Sequence, residues 1–111
     1  MLGQMILLKP ETTEAEIFAF TEPVELETVK DALDGGWLDQ IPNFNQIWYE
    51  GIWRDCIAFF DEEGKQKNLP VNRQATARWY TYQITQNIRP ADVLLGPVAV
   101  FIGDPEFLES F

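Results

Sequence analysis

The run Asp55-Cys56-Ile57-Ala58-Phe59-Phe60 is apolar at both odd and even positions. Side chains on a β-strand alternate between the two faces of a sheet. A strand apolar at both parities fits a central position, covered above and below. The rest of the chain has to supply neighbours for that strand and layers to cover it.

Short apolar runs supply the neighbours. Residues 5–9 (MILLK) read as a strand ended by Pro10, and residues 16–20 (EIFAF) as a second, the polar link between them suggesting an antiparallel hairpin. Thr21-Glu22-Pro23 reads as a helix start, with Thr21 as cap and Pro23 in the first turn. Leu26, Val29 and Leu33 then form one apolar stripe, and Gly35-Gly36 stops the helix. Residues 37–44 (WLDQIPNF) read as a strand ending at Ile41-Pro42, followed by a loop over 43–46. Residues 47–53 (IWYEGIW) are unusually aromatic, with Glu50-Gly51 as a turn tip.

After the central strand, Asp61-Glu62-Glu63-Gly64-Lys65 forms a turn, and Leu69-Pro70 a bend. Asn72 is suited to cap a helix over 73–83, with Ala75, Trp79 and Tyr82 at helical spacing. Residues 93–102 form the last strand region. Gly96-Pro97 within it predicts an edge position or a bulge before 98–102. Residues 106–111 read as a tail or helical turn. The order β-β-α-β-β-α-β predicts one α+β domain over 1–111, a small mainly antiparallel sheet with the two helices packed on one face. An exposed edge at 98–102 would favour self-association, a homo-oligomer.

Composition narrows the chemistry. The chain has 111 residues, no histidine and one cysteine, Cys56. Lack of histidine removes the commonest acid/base at neutral pH and the commonest transition-metal ligand. No Ser-His or Cys-His nucleophile can be built, no intramolecular disulfide can form, and neither a metal nor another cofactor is expected. Cys56 reads as a small core hydrophobe. What remains for catalysis is a carboxylate pair, as in a hydrolase, and no spacing singles one out. A non-enzymatic role is therefore the expectation. Eighteen Asp and Glu against eight Lys and Arg leave a net charge of −10. That balance disfavours direct contact with nucleic acid or an anionic membrane, and suits a basic protein partner. The longest apolar run is far short of the about 20 residues that span a bilayer, and no signal-peptide pattern opens the chain. A cytoplasmic location is expected.

The charge is unevenly distributed. Residues 1–63 carry −11, residues 64–90 carry +5 with no acid at all, and residues 91–111 carry −4. The basic segment coincides with the start of the second helix. Free N–H groups at a helix N-terminus favour anions, so Lys65, Lys67, Asn72 and Arg73 form a candidate site for an anionic small molecule or nucleotide. The plainer alternative is that these bases neutralise Asp61, Glu62 and Glu63 or pair with the first helix. Trp48, Tyr49 and Trp53 are candidate partner-binding residues, since clustered exposed aromatics make hot spots.

Three blocks, LDGGWLDQI, CIAFFDEEGKQKNLPVNRQAT and ADVLLGPVAVFIGD, occur in this order within residues 25–107. This arrangement resembles small domains of unknown function widespread in phages, plasmids and bacteria. The aromatic stretch 43–53 departs from that pattern. The resemblance implies a phage, mobile-element or bacterial context, and it supplies no activity and no catalytic residue. Combined with the charge, it leads to an acidic interaction protein that binds and modulates a host or bacterial protein, with DNA mimicry as one form. The anion binder and the carboxylate hydrolase are the alternatives.

Overall fold

A computed structural model describes residues 2–111. Nine elements follow in order. They are β1 (Gly3–Leu8), β2 (Glu16–Phe20), α1 (Leu26–Ala32), β3 (Leu38–Gln40), β4 (Gln46–Tyr49), β5 (Ile52–Asp61), α2 (Arg73–Thr85), β6 (Val98–Gly103) and α3 (Pro105–Glu109). The strands form one antiparallel sheet in the order β2-β1-β6-β5-β3, with β4 paired to β5 beside β3. The fold is α+β, with six strands and three helices among the described residues.

β5 organises the sheet, as its two-sided apolar pattern requires. One side of it pairs with β6, Cys56 opposite Ile102 and Phe60 opposite Val98. Its other side pairs first with β4 and then with β3. Between those two short strands the chain stays alongside, because the Ile41 N–H donates to the Ala58 carbonyl (2.8 Å) and the Cys56 N–H to the Asn45 carbonyl (2.9 Å). The strand expected from Trp37 to Ile41-Pro42 is thus confined to Leu38–Gln40.

The helices lie on opposite faces, not on one face as the element order suggested. Ile6, Leu8, Cys56, Ala58, Val98 and Val100 share a core with Ala75 and Trp79 of α2. Their sheet neighbours of opposite parity, Met5, Leu7, Ala99 and Phe101, share a second core with Val29 and Leu33 of α1 and Phe107 of α3. β1 and β6 are apolar at both parities too, so helices on one face alone would leave half of these side chains in water. Burying a side chain the size of Phe101 is worth about 2–3 kcal/mol, which sets the scale of that loss.

β6 differs from the expected edge. It lies between β1 and β5 and is buried over Val98–Ile102. Pro97 precedes the strand, so its missing N–H falls outside the ladder. Gly96 takes a positive φ of 75° and accepts Leu69 against its bare Cα. The outer strands are β2 on one side and β3 with β4 on the other.

α1 also starts later than expected. Glu25 rather than Thr21 is its N-cap residue, and its side chain makes no cap hydrogen bond. The residue before a proline favours extended backbone, so Pro23 keeps Glu22 out of a helix. Val24 crosses onto the sheet face and packs into the second core before the helix begins. Val29 and Leu33 are buried as the stripe predicted, whereas Leu26 remains exposed.

Candidate functional site

The basic segment resolves into separate structural duties. Asn72 is fully buried at the start of α2. Its Oδ1 accepts the Ala75 N–H (3.1 Å), the expected cap. Its Nδ2 donates to the carbonyls of Leu8 (2.9 Å) and Gly96 (2.8 Å). Each polar atom of the amide is thus engaged within the fold.

Lys67 reaches Asp61, the last residue of β5. Nζ and Oδ2 are 2.7 Å apart, and Glu63 lies at 4.0 Å from the same ammonium. Asp61 is buried, and its Oδ1 also accepts the N–H groups of Trp37 (3.2 Å) and Glu63 (2.9 Å). Burial opposes ionisation of this carboxyl most strongly. The hydrogen bonds from Lys67 and the two backbone amides outweigh it together and hold the pKa below the usual value. A carboxyl held ionised in this way is unsuited to proton donation. Lys65 pairs with Asp92 at 3.7 Å, both side chains being largely exposed. Arg73 is exposed at the first position of α2. Of the four anion candidates, Asn72 is consumed by backbone and Lys67 by the buried acid, Lys65 pairs loosely with a surface acid, and Arg73 stands exposed at the helix start.

A cavity of about 280 Å³ opens beside Lys65. Phe60 and Trp79 contribute to its lining, and Asp61, Glu62 and Asp92 are at its wall. Those three acids outnumber the one base, Lys65, that lines it. Its field is thus the opposite of what an anion requires.

The aromatic candidates are brought together. β4 and β5 form a hairpin in which Glu50 and Gly51 both have positive φ, 52° and 82°, as a two-residue primed turn demands. Trp48 sits directly opposite Trp53 in the register. Their rings meet edge to face at 5.6 Å, and Trp53 packs likewise on Tyr82 of α2 at 6.2 Å. Arg78 of α2 donates to the Trp48 carbonyl at 3.0 Å. Trp48 is nonetheless 50% exposed and Ile52 54% exposed. Tyr49 is half-buried under the guanidinium of Arg54, 5.8 Å from the ring centre. Arg54 also reaches Glu50 at 3.6 Å. Two features of the hairpin were not singled out from the sequence, the exposure of Ile52 and the hydrogen bond from Arg78. The first follows from hairpin parity once the turn is placed, and the second has no local signal.

Cys56 is buried, and its thiol lies 3.5 Å from the Phe44 carbonyl. Burial, with a smaller contribution from the Asp55 carboxylate, pushes its pKa up to about 12. Alkylation of the folded chain by iodoacetamide at pH 8 is expected to run about a thousandfold slower than in urea, because the thiolate is the reactive form. Comparable rates in the two conditions would contradict this burial.

Among the described residues, no cluster of three or more His, Cys, Asp or Glu is placed to hold a metal ion, and no helix is long and apolar enough to cross a membrane. No protein-family model, curated protein or solved structure matches the chain.

Proposed function

We propose that this chain is a non-enzymatic protein-binding domain, of the kind a phage or other mobile element uses in the bacterial cytoplasm to bind and modulate a host protein. The observation that carries this reading is Trp48. A tryptophan half open to solvent meets an edge-to-face ring on one side, and its carbonyl accepts a hydrogen bond from the Arg78 side chain of α2. Rigid exposed indoles bind at low entropic cost and dominate interface energies. The net charge of −10 directs it toward a basic surface.

The test is capture from a bacterial lysate by wild type and by Trp48→Ala, with bound proteins identified by mass spectrometry. The variant is expected to keep its melting temperature within a few degrees and to lose the wild-type partner by tenfold or more, since hot-spot truncations cost upward of about 2 kcal/mol. Equal recovery of the same proteins would sink the hairpin as the contact. DNA mimicry, one form of this reading, further requires the complex to weaken steeply as salt rises. The binder of an anionic nucleotide gains no comparable support, because Lys65, Lys67 and Asn72 are engaged elsewhere in the fold.

A further inference from the structure

β2 is the outermost strand of the sheet on its side, paired only to β1 among the described residues. Unpaired edges invite other strands, and proteins normally blunt them with lysine, proline, a bulge or a covering segment. Glu16–Phe20 has none of these. Its sequence is EIFAF, its pairing to β1 is regular over five residues, and Ile17, Phe18 and Ala19 are exposed. Its single charge, Glu16, is matched to Lys9 at 2.9 Å. Beside the strand runs an open groove of about 620 Å³, floored by Met5, Leu7, Phe18 and Phe20 and walled by Asp31 of α1. A strand added to β2 would place alternate side chains in that groove.

Charge decides what fits. A second copy of this chain, paired antiparallel about Phe18, sets Glu14 against the partner copy's Glu22 and the reverse. Both molecules carry −10, no base occurs between Glu14 and Glu22, and Lys9 is already matched to Glu16. Like charges facing each other across a strand pair are destabilising. A foreign segment with apolar residues at its centre and lysine or arginine at both ends meets Glu14, Glu22 and Asp31 instead.

We infer that the β2 edge takes up an extended, basic-flanked segment of another protein as a seventh strand of the sheet. This extends the protein-binding reading to a second surface and does not depend on the hairpin.

The probe is the acetylated and amidated peptide Lys-Lys-Val-Thr-Val-Thr-Val-Lys-Lys, with a control in which glutamate replaces every lysine. At saturation the lysine peptide is expected to slow hydrogen exchange of the backbone amides in 16–20, and its affinity is expected to fall about tenfold or more between low and physiological salt. The glutamate peptide should leave those amides unchanged. Phe18→Pro and Ala19→Pro complete the test. Neighbouring residues point their N–H groups to opposite sides, so one of the two variants loses only an outward N–H. That variant should retain the wild-type melting temperature and lose the peptide. Trp48→Ala should bind the peptide as wild type does, which separates failure here from failure of the hairpin. Protection of 16–20 by both peptides, protection by neither, or concentration-dependent pairing of the chain through 16–20 in the absence of peptide would overturn the inference.

Discussion

Replacing Asp61 with alanine is expected to cost about 3 kcal/mol of folding stability, because two buried or half-buried N–H groups lose their acceptor and Lys67 loses its carboxylate. Asp61 closes β5 where three segments converge: the start of β3 through the Trp37 N–H, the acidic turn through the Glu63 N–H, and the basic segment through Lys67. A Cβ built on Gly36 would stand 2.5 Å from the Asp61 carboxyl, so the second glycine of the Gly35-Gly36 pair is where the carboxylate packs. The pH dependence has a definite sign. The folded pKa of Asp61 lies below its ordinary value of 3.8, so its contribution is fully present above that value and is lost as the pH falls through the folded pKa. Lys67 is shifted the other way by the same hydrogen bond, above 10.5, so its contribution is present below 10.5 and is lost only as the pH rises through the raised value. Urea unfolding of wild type and Asp61→Ala at a series of pH values is the measurement. The stability gap between them should be constant near neutrality and shrink as the solution is acidified below pH 4. A gap under about 1 kcal/mol at pH 7 would show that the carboxylate is not a junction.

What could be read from the sequence divides along a physical line. Local rules succeeded: Glu50-Gly51 turns the hairpin, Asn72 caps α2, and residues 55–60 form an interior strand because both parities are apolar. The same two-parity pattern already required cover on both faces, and it also runs through β1 and β6. Placing both helices on one face set element order above this requirement. Gly96-Pro97 was a local sign with a non-local resolution. It marks the turn that lets residues 94–96 lie beside 70–72, with the Asn72 N–H donating to the Leu94 carbonyl and the Gly96 N–H to the Pro70 carbonyl, both at 2.8 Å. The candidate sites divide in the same way. Trp48 and Trp53 were legible as a pair once the turn was placed. The basic segment was legible as charge, and the plainer alternative, pairing with the acidic turn, holds for Lys67 with Asp61 and Glu63, while Asn72 reaches Leu8 across 64 residues, a separation a linear reading does not rank.

That last contact supports the other large effect. Asn72→Ala is expected to destabilise the fold by about 3 kcal/mol or more, combining a lost helix cap with two buried carbonyls left without a donor. The alternative is that the residue is only a cap, in which case the loss stays near 1 kcal/mol. Asn72→Asp separates the two. Aspartate keeps an acceptor for the Ala75 N–H, so a pure cap would be preserved or improved beside the helix dipole. It cannot donate to Leu8 and Gly96, and when ionised it sets a negative charge against two carbonyl oxygens in a site with no exposure. Asn72→Asp should therefore be at least as unstable as Asn72→Ala at pH 7. Its carboxyl pKa in the fold must be raised, so its deficit relative to wild type should lessen as the pH is lowered and the carboxyl regains a proton to donate. The gap to wild type thus narrows with acid at both sites but for opposite reasons: at Asp61 acid removes the stabilising form of the wild type, whereas at position 72 it restores a donor to the variant. If Asn72→Asp proves as stable as wild type at neutral pH, the amide is not what fastens α2 to the end of β1, and the tie must rest on the packing of Ala75 and Trp79 alone.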